Sequence, residues 1–402
     1  MNSLVQGKPY FTNINTEFNQ YKYLSKDAST EVLIIGGGVT GALISHYLTE
    51  NKINCMLVEK SRIGHGSTSI TTALLKYDLD DNLAYLNQYT SLENCIKSYK
   101  LGVKALSDLK DIISAQGNYC DYKATDSFLF TNKTIEEKEI FQEYQHRKNT
   151  GFDIQFIDTS SNPFEFDIKA GILSKEGGAV LDPFKFTHQL LSNAEKKGAK
   201  IYENTLINKI IYKENSVEAF TEFGHKITCK YIVCATGYDI SLFTHKPYGT
   251  KLVTYNIVTS PIDNFDPQLK EVIVRDNCSP YNYLRMTSDN RVILGGEDEP
   301  YEQSIFNKAM AEKKYSILTE RLKSLLPSIK DDIQIDFKLC GEFISTRDNL
   351  GFIGRDGFHK NLYYCLGYGA NGLIFSILGG QYLSKLLKNQ DDPDMEIFNL
   401  NR

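Results

Sequence analysis

At 402 residues the chain is too long for one small hydrophobic core, so two domains are expected. A hydrophobic share of 41% and a charged share of 24% are ordinary for a soluble globular protein. The net charge of −5, with no basic cluster to offset it, argues against nucleic acid as a partner, because phosphate binding needs a basic surface.

The eight cysteines are scattered and form no C-x-x-C, which removes a dithiol redox site or a zinc knuckle. The seven histidines show no paired spacing, so no metal site is expected. Residues 1–30 lack an apolar signal-peptide core, and no apolar run is long enough to span a membrane. A cytoplasmic protein with reduced thiols is the simplest expectation.

In chain order, residues 1–27 read as an N-terminal extension with little periodicity. "EVLIIGG" then reads as a buried strand, "GALISHYLTENK" as a helix and "INCMLVEK" as a second strand, which makes a βαβ unit. Residues 82–150, rich in Leu, Lys and Glu, predict helices. A further helix is predicted to begin at Pro183 and end at Gly198, followed by short strands and the apolar "YIVCATG". Residues 250–300 alternate like antiparallel strands, with "TSDN" as the hairpin turn between "YNYLRM" and "RVILGG". Residues 302–326 predict a helix that stops at Pro327, and from 333 strands lead to "GYGANGLIFSILGG", a glycine turn into a final helix.

Glycine turns therefore occur near the start, near 235 and near the end. A nucleotide domain built from 28–82, 172–240 and 340–390 is expected, with a substrate domain from 83–171 and 241–339 and a tail at 391–402. Gly36, Gly38 and Gly41 satisfy G-x-G-x-x-G: one makes the tight turn, one admits a pyrophosphate to the backbone, and one packs the helix on the strand. Glu59 closes the second strand at about the ~20-residue spacing expected of the acid that accepts from the ribose hydroxyls. The loop "RIGHGSTSITTALL" offers backbone N–H groups and hydroxyls for a second phosphate. "CATG", with Ala235 and Gly237, and "GYGANG" add two more close-approach turns. A nicotinamide cofactor has no need of the third turn, so the three together indicate FAD.

These stretches, with "GGAVLDPFKFTHQLLSNAEKKGAKIYENT" and "YLRMTSDNRVILGGEDE", resemble the D-amino-acid oxidase/glycine oxidase superfamily of FAD-dependent oxidoreductases over nearly the whole chain from about residue 28. "GSTSITTALLKYDLD" is most similar to a bacterial group within it, some relatives of which carry a C-terminal Rieske domain. No C-x-H and C-x-x-H pair is present here. The resemblance implies an α/β (α+β) fold: a Rossmann-like βαβ FAD domain of the glutathione-reductase type with an inserted antiparallel-sheet substrate domain. It implies that Gly36, Gly38 and Gly41 hold the pyrophosphate, and that Glu59, with Lys60 beside it, serves the ribose. Ser67, Thr68 and Ser69 would line the phosphates and Thr72 would approach the flavin. The Ile207 backbone would contact adenine, Ala235 and Gly237 would border the cofactor, and Gly367, Gly369, Asn371, Gly372 and Leu373 would wrap the flavin ring.

For the substrate, Tyr281, Tyr283 and Arg285 stand at alternate positions and share one face of a strand. They suit a polar or anionic ligand, although Arg285 is equally read as a structural arginine paired with an acid. Lys76 falls where sarcosine-oxidase-like relatives place a basic residue for the substrate carboxylate, and a solvated lysine is the alternative. The resemblance also has departures. Phe343 stands where glycine-oxidase-type enzymes carry an arginine, and Arg347, beside Asp348, does not match it. Cys340 lies one residue from a covalent flavin position, and no histidine occupies the other, so non-covalent FAD is expected.

The expected reaction is oxidation of the C–N bond of a small-molecule amine or amino acid by hydride transfer to flavin N5, with hydrolysis of the imine and reoxidation by oxygen or another electron acceptor. The alternatives are an FAD-dependent dehydrogenase of a 2-hydroxy acid or polyol, and a non-enzymatic flavin redox partner.

Overall fold

Four consecutive apolar residues, Val32–Ile35, form a strand buried on both faces, as the middle of a parallel sheet requires. A computed structural model describes residues 5–16, 18–301, 307–369 and 371–402. The chain falls into two compact units, each assembled from three segments.

The glycine-turn unit comprises Ile14–Ser69, Pro183–Thr250 and Ile344–Arg402. Its six-stranded sheet runs in the order Phe352–Arg355, Leu362–Leu366, Tyr231–Cys234, Val32–Ile35, Cys55–Val58, Lys200–Tyr202. All neighbours are parallel except the first pair. The Val39–Glu50 helix is buried on most sides because both the Pro183–Lys196 and the Gly372–Leu386 helices pack on it. A four-stranded sheet, Ile207–Tyr212, Val217–Thr221, Lys226–Cys229 and Ala28–Ser29, completes its core. Residues 391–402, expected as a tail, are packed: Phe398 is buried, 5.4 Å from the Phe375 ring.

The large-sheet unit comprises Met1–Asn13, Ile70–Asp182 and Lys251–Phe343. Antiparallel pairs dominate its ten-stranded sheet, and the Val272–Asp276 and Lys123–Thr131 strands pair in parallel. One face is apolar: Tyr255, Ile257, Leu284, Leu294 and Val274 pack with Tyr315, Leu318 and Leu322 of the Lys308–Leu325 helix. By the two-residue period of strands the opposite face carries the alternate residues. There Asn256, Gly295, Tyr283 and Arg275 stand in one cross-strand row.

Three expectations are corrected. Residues 82–150 are not all helical, since the Lys123–Thr131 strand separates the Leu92–Gln116 and Glu137–Asn149 helices. Its alternating Phe128 and Phe130 fill the apolar face. The N-terminal extension is structured: Val5–Gly7 pairs with Ile335–Ser345, and Tyr10 and Phe11 are buried. Residues 70–82, 172–182 and 340–343, expected in the nucleotide domain, belong to the large-sheet unit because Leu74–Lys76, Ala170–Val180 and most of Ile335–Ser345 are strands of its sheet, and 241–250, expected in the substrate domain, belong to the glycine-turn unit. The "TSDN" hairpin joins Asn282–Met286 to Val292–Pro300, closed by Thr287 N–H with the Arg291 carbonyl. The helix expected from 302 runs from Lys308 to Leu325; residues 302–306 lie outside the described residues.

Candidate active site

Four parallel strands of the glycine-turn unit end at expected cofactor residues. Val32–Ile35 leads to Gly36, Cys55–Val58 to Glu59, Tyr231–Cys234 to Ala235, and Leu362–Leu366 to Gly367. Carboxyl ends of parallel strands are where open α/β sheets bind ligands. Gly36 has φ +117°, and a Cβ there would run into the Ala235 carbonyl. A Cβ at Gly41 would strike the Gly36 carbonyl, so this glycine lets the helix lie against the turn. Gly38 is the N-cap of the Val39–Glu50 helix and brings no side-chain cap, leaving the helix's positive end for an anion.

Glu59 accepts from the Gly37 amide at 2.7 Å and, through its other oxygen, from the Ser61 amide at 2.9 Å. Burial pushes its carboxyl above the usual range, against the opposing pull of these two amides. Each oxygen keeps a second lone pair that a ribose hydroxyl can use. Lys60 is exposed and pairs with Asp239 at 3.4 Å. Ser67–Ser69 form a tight 3-10 turn in which Thr68 Oγ1 accepts from the Val39 amide at 3.0 Å and Ser69 Oγ donates to the Gly66 carbonyl at 2.8 Å. A Cβ at Gly66 would meet nothing within 4 Å. Gly237, at φ +64°, lies beside Ser67, and the Tyr368 hydroxyl donates to its carbonyl at 3.2 Å. Ile207 opens the Ile207–Tyr212 strand and is buried.

At the final turn, a Cβ on either Gly367 or Gly372 would strike the other's backbone, while Gly369 takes φ +74° against the Asn349 carbonyl. Asn371 is the N-cap of the Gly372–Leu386 helix, with Leu373 in its first turn. Three bonding residues escaped the sequence reading. Glu203 accepts from the Ile63 amide at 2.6 Å and the Tyr21 amide at 2.9 Å, shaping the loop after Glu59. Thr40 and Ser376 hydroxyls, 2.7 Å apart, tie the first turns of two helices together. The residues present fit an extended dinucleotide: two crowded glycine turns, a helix start whose N-cap glycine brings no side chain of its own, and a ribose-ready carboxylate.

The large-sheet unit holds the remaining expected residues. Arg285 is buried, its Nη1 donates to the carbonyls of Ala73 at 3.1 Å and Leu181 at 2.9 Å, and the Phe11 ring lies 5.5 Å from its guanidinium. Lys76 is also buried: its Nζ donates to the Asp78 carbonyl at 2.8 Å and lies 3.2 Å from the Asp80 carboxylate. Asp78 in turn faces Arg147 at 3.4 Å and Arg275 at 3.6 Å. Burial works to raise its carboxyl, but Lys76, Arg147 and Arg275 outweigh it and hold it at about 2. Tyr281 donates to Asp80 at 3.0 Å, and the Tyr283 hydroxyl lies 3.3 Å from Thr254 Oγ1, with the two tyrosine rings 5.8 Å apart. Thr72 is buried in this unit. Cys340 is buried as well, with its thiol 3.7 Å from the Gln6 carboxamide oxygen.

A family model described as FAD dependent oxidoreductase, DAO, matches residues 31–386. The chain belongs to the DAO family of FAD-dependent oxidoreductases. It is an oxidoreductase enzyme with FAD as cofactor. A Bacillus subtilis protein provisionally named as a Rieske 2Fe-2S iron–sulfur protein is 22% identical over 96% of this chain and 74% of its own. The γ-glutamylputrescine oxidoreductase of Escherichia coli is 22% identical over 94% of this chain and 88% of its own. The glycine oxidase of Geobacillus kaustophilus shares the fold at a TM-score of 0.80, with 18% identity, 93% of this chain and 99% of that one. Among the described residues, no helix is long and apolar enough to cross a membrane and no His/Cys/Asp/Glu group could hold a metal ion.

Proposed function

We propose that this DAO-family enzyme oxidises the C–N bond of an amine or amino acid with non-covalently held FAD. One observation carries the reading: chain-long relatives include an oxidoreductase named for γ-glutamylputrescine and one named for glycine, both nitrogen substrates. Bound FAD supplies the acceptor for a hydride from the carbon beside nitrogen.

The protein's part is binding, orientation and exclusion of water. Gly36, Gly38 and Gly41 hold the pyrophosphate against the start of the Val39–Glu50 helix, and Glu59 takes the ribose hydroxyls. Ser67, Thr68 and Ser69 line the phosphates, the Ile207 backbone meets adenine, and Gly367, Gly369, Asn371, Gly372 and Leu373 surround the flavin ring. Tyr281 and Tyr283 meet the substrate. Arg285 and Lys76 act as positioning residues, because carbonyls and carboxylates of the protein already take up their charges. The transferred hydride must come from a neutral amine, and a partly desolvated site favours that form. Water then hydrolyses the imine, and oxygen or another acceptor takes the electrons.

Anaerobic mixing of the purified flavoprotein with amines, amino acids, hydroxy acids and polyols tests this. Bleaching of the flavin absorbance by amines or amino acids is the expected result. Bleaching by hydroxy acids or polyols alone overturns it.

A further inference from the structure

The polar face of the large sheet carries a feature that the proposed reaction does not yet use. Between Val253↔Glu299 and Tyr255↔Gly296 the register shifts, so Glu297 and Asp298 together stand opposite Thr254. Gly296 takes φ +136° and Glu297 φ +58°, a conformation that a side chain rarely adopts. Such bulges re-aim side chains. With strict alternation from Gly295, Asp298 would fall on the apolar face beneath the Lys308–Leu325 helix. Instead Glu297 and Glu299 meet Lys314 of that helix, at 3.0 and 2.6 Å, and Asp298 stands opposite Thr254, near enough to Asp80 and Tyr281 for their charges to act on one another.

A second observation comes from the neighbouring row. Asn256 is 2% exposed, and its Nδ2 donates to the Ile70 carbonyl at 3.1 Å. A carbonyl can only accept, so this bond fixes the carboxamide and leaves Oδ1 as its remaining acceptor. That oxygen is buried without a hydrogen-bond partner among the described residues, and so is Asp298 Oδ1. Asn256 Oδ1 and the Tyr283 ring converge over Gly295, where a Cβ would strike both. A buried acceptor with no donor is costly, so a site that keeps two of them on one face is built for N–H groups.

The charges of the unit point the same way. Lys76 faces Asp78 and Asp80, Arg275 faces Asp78, Arg285 bonds two carbonyls, and Lys314 has Glu297 and Glu299. Each cation has an acceptor of its own, with Arg275 Nε and Nη2 and Arg285 Nε left over among the described residues, and Asp298 adds a further negative group. Burial pushes its carboxyl up to about 7, with Asp80 and Glu297 adding to the rise and Thr254 and Lys314 opposing it. A bound cation would therefore recover charge that burial disfavours.

We infer that Asn256, Thr254 and Asp298 form a subsite for a positively charged amino group of the substrate other than the neutral amine that is oxidised, so that this enzyme selects substrates with a cationic second amine over substrates anchored by a carboxylate. The inference deepens the C–N oxidation reading and rests on it for its meaning. The test uses tert-butylammonium, which has no hydrogen on the carbon beside nitrogen and cannot be dehydrogenated, against pivalate and tert-butanol. Calorimetric titration of the FAD-loaded protein is expected to give tert-butylammonium an advantage of at least about tenfold over both. Asp298→Asn should abolish the advantage with FAD content retained. Asn256→Asp should increase it, an outcome that a folding defect does not produce.

Equal or tighter binding of pivalate, or an undiminished preference in Asp298→Asn, overturns the subsite. If Asp298→Asn fails to retain FAD, the absence of tightening in Asn256→Asp overturns it instead. A preference that follows Asp298 while no amine bleaches the flavin would leave the subsite standing and remove the C–N reading. Bleaching by amines without the preference would do the reverse.

Discussion

Glu59 reaches back over the glycine turn and takes the Gly37 amide at 2.7 Å. With Ser61 on its other oxygen, this one carboxylate shapes the turn before it faces any ribose. Glutamine cannot replace it, since an amide must direct an NH2 at one of the two backbone donors. Glu59→Gln is expected to weaken FAD binding by roughly 10- to 100-fold, in line with a lost charge-assisted bond of about 1.5–3 kcal/mol. Titration of the apoprotein with FAD, followed by flavin fluorescence, measures this, and an unchanged affinity would remove Glu59 from the site.

Two glycines only 25 positions apart in the same unit should behave oppositely. Gly41→Ala drives a methyl into the Gly36 carbonyl, and the turn must move. A loss of about 1–3 kcal/mol and poor FAD retention are expected. Gly66→Ala puts its methyl where nothing lies within 4 Å, and thermal unfolding should show almost no change. Equal melting temperatures for the two variants would contradict the packing described.

The buried charges around Asp78 predict both a mutational and a pH effect. Arg147 bonds Glu143 at 2.7 Å and faces Asp78, and all three are buried. Arg147→Met leaves two carboxylates without it and should cost about 3–5 kcal/mol. Asp78 is held at about 2, below its unfolded value of about 3.9. Its contribution is therefore complete above pH ~4 and fades as the pH falls toward 2. Denaturant unfolding of wild type and Asp78→Asn across pH 2 to 6 measures it: the gap between them should close on acidification.

Tyr283 and Arg285 share a strand and should separate in their effects. Arg285→Lys keeps the charge but cannot reproduce the planar reach to the Ala73 and Leu181 carbonyls, so the melting temperature should fall. Tyr283→Phe removes only the hydroxyl near Thr254. It should leave the melting temperature within a few degrees while raising KM for the amine about three- to tenfold. A stable Arg285→Lys with a large KM effect would return Arg285 to the substrate.

The glycine-turn unit was largely legible because its signals are local. Gly36, Gly41 and Glu59 each act within one βαβ stretch, and the strand and helix boundaries around them follow from short apolar runs. The polar face of the large sheet was half legible. The two-residue period put Tyr283 and Arg285 on one face, but it could not say that Arg285 turns to Ala73 and Leu181, which are distant in sequence. Lys76 stands out by position, but nothing in the sequence says that the chain turns to bring Asp78 and Asp80, two and four residues on, against its ammonium. Asp298 was hidden for a different reason. Alternation assigns it to the wrong face, and only the register shift opposite Thr254 corrects the parity. The Lys123–Thr131 strand was lost among lysine and leucine-rich helices because only two phenylalanines carry its period.

The order of the six-stranded sheet constrains how the protein is born. Tyr231–Cys234 lies between a strand from near residue 32 and one from near residue 362. While the ribosome is still reading the codons between them, the half-made sheet shows an apolar, hydrogen-bonding edge to whatever is nearby. On the cofactor site proposed above, the third glycine turn does not yet exist at that stage, so the proposed cradle is unfinished. On that reading FAD is expected to bind only after the third turn has left the ribosome, which makes the cofactor a late arrival to an otherwise finished fold.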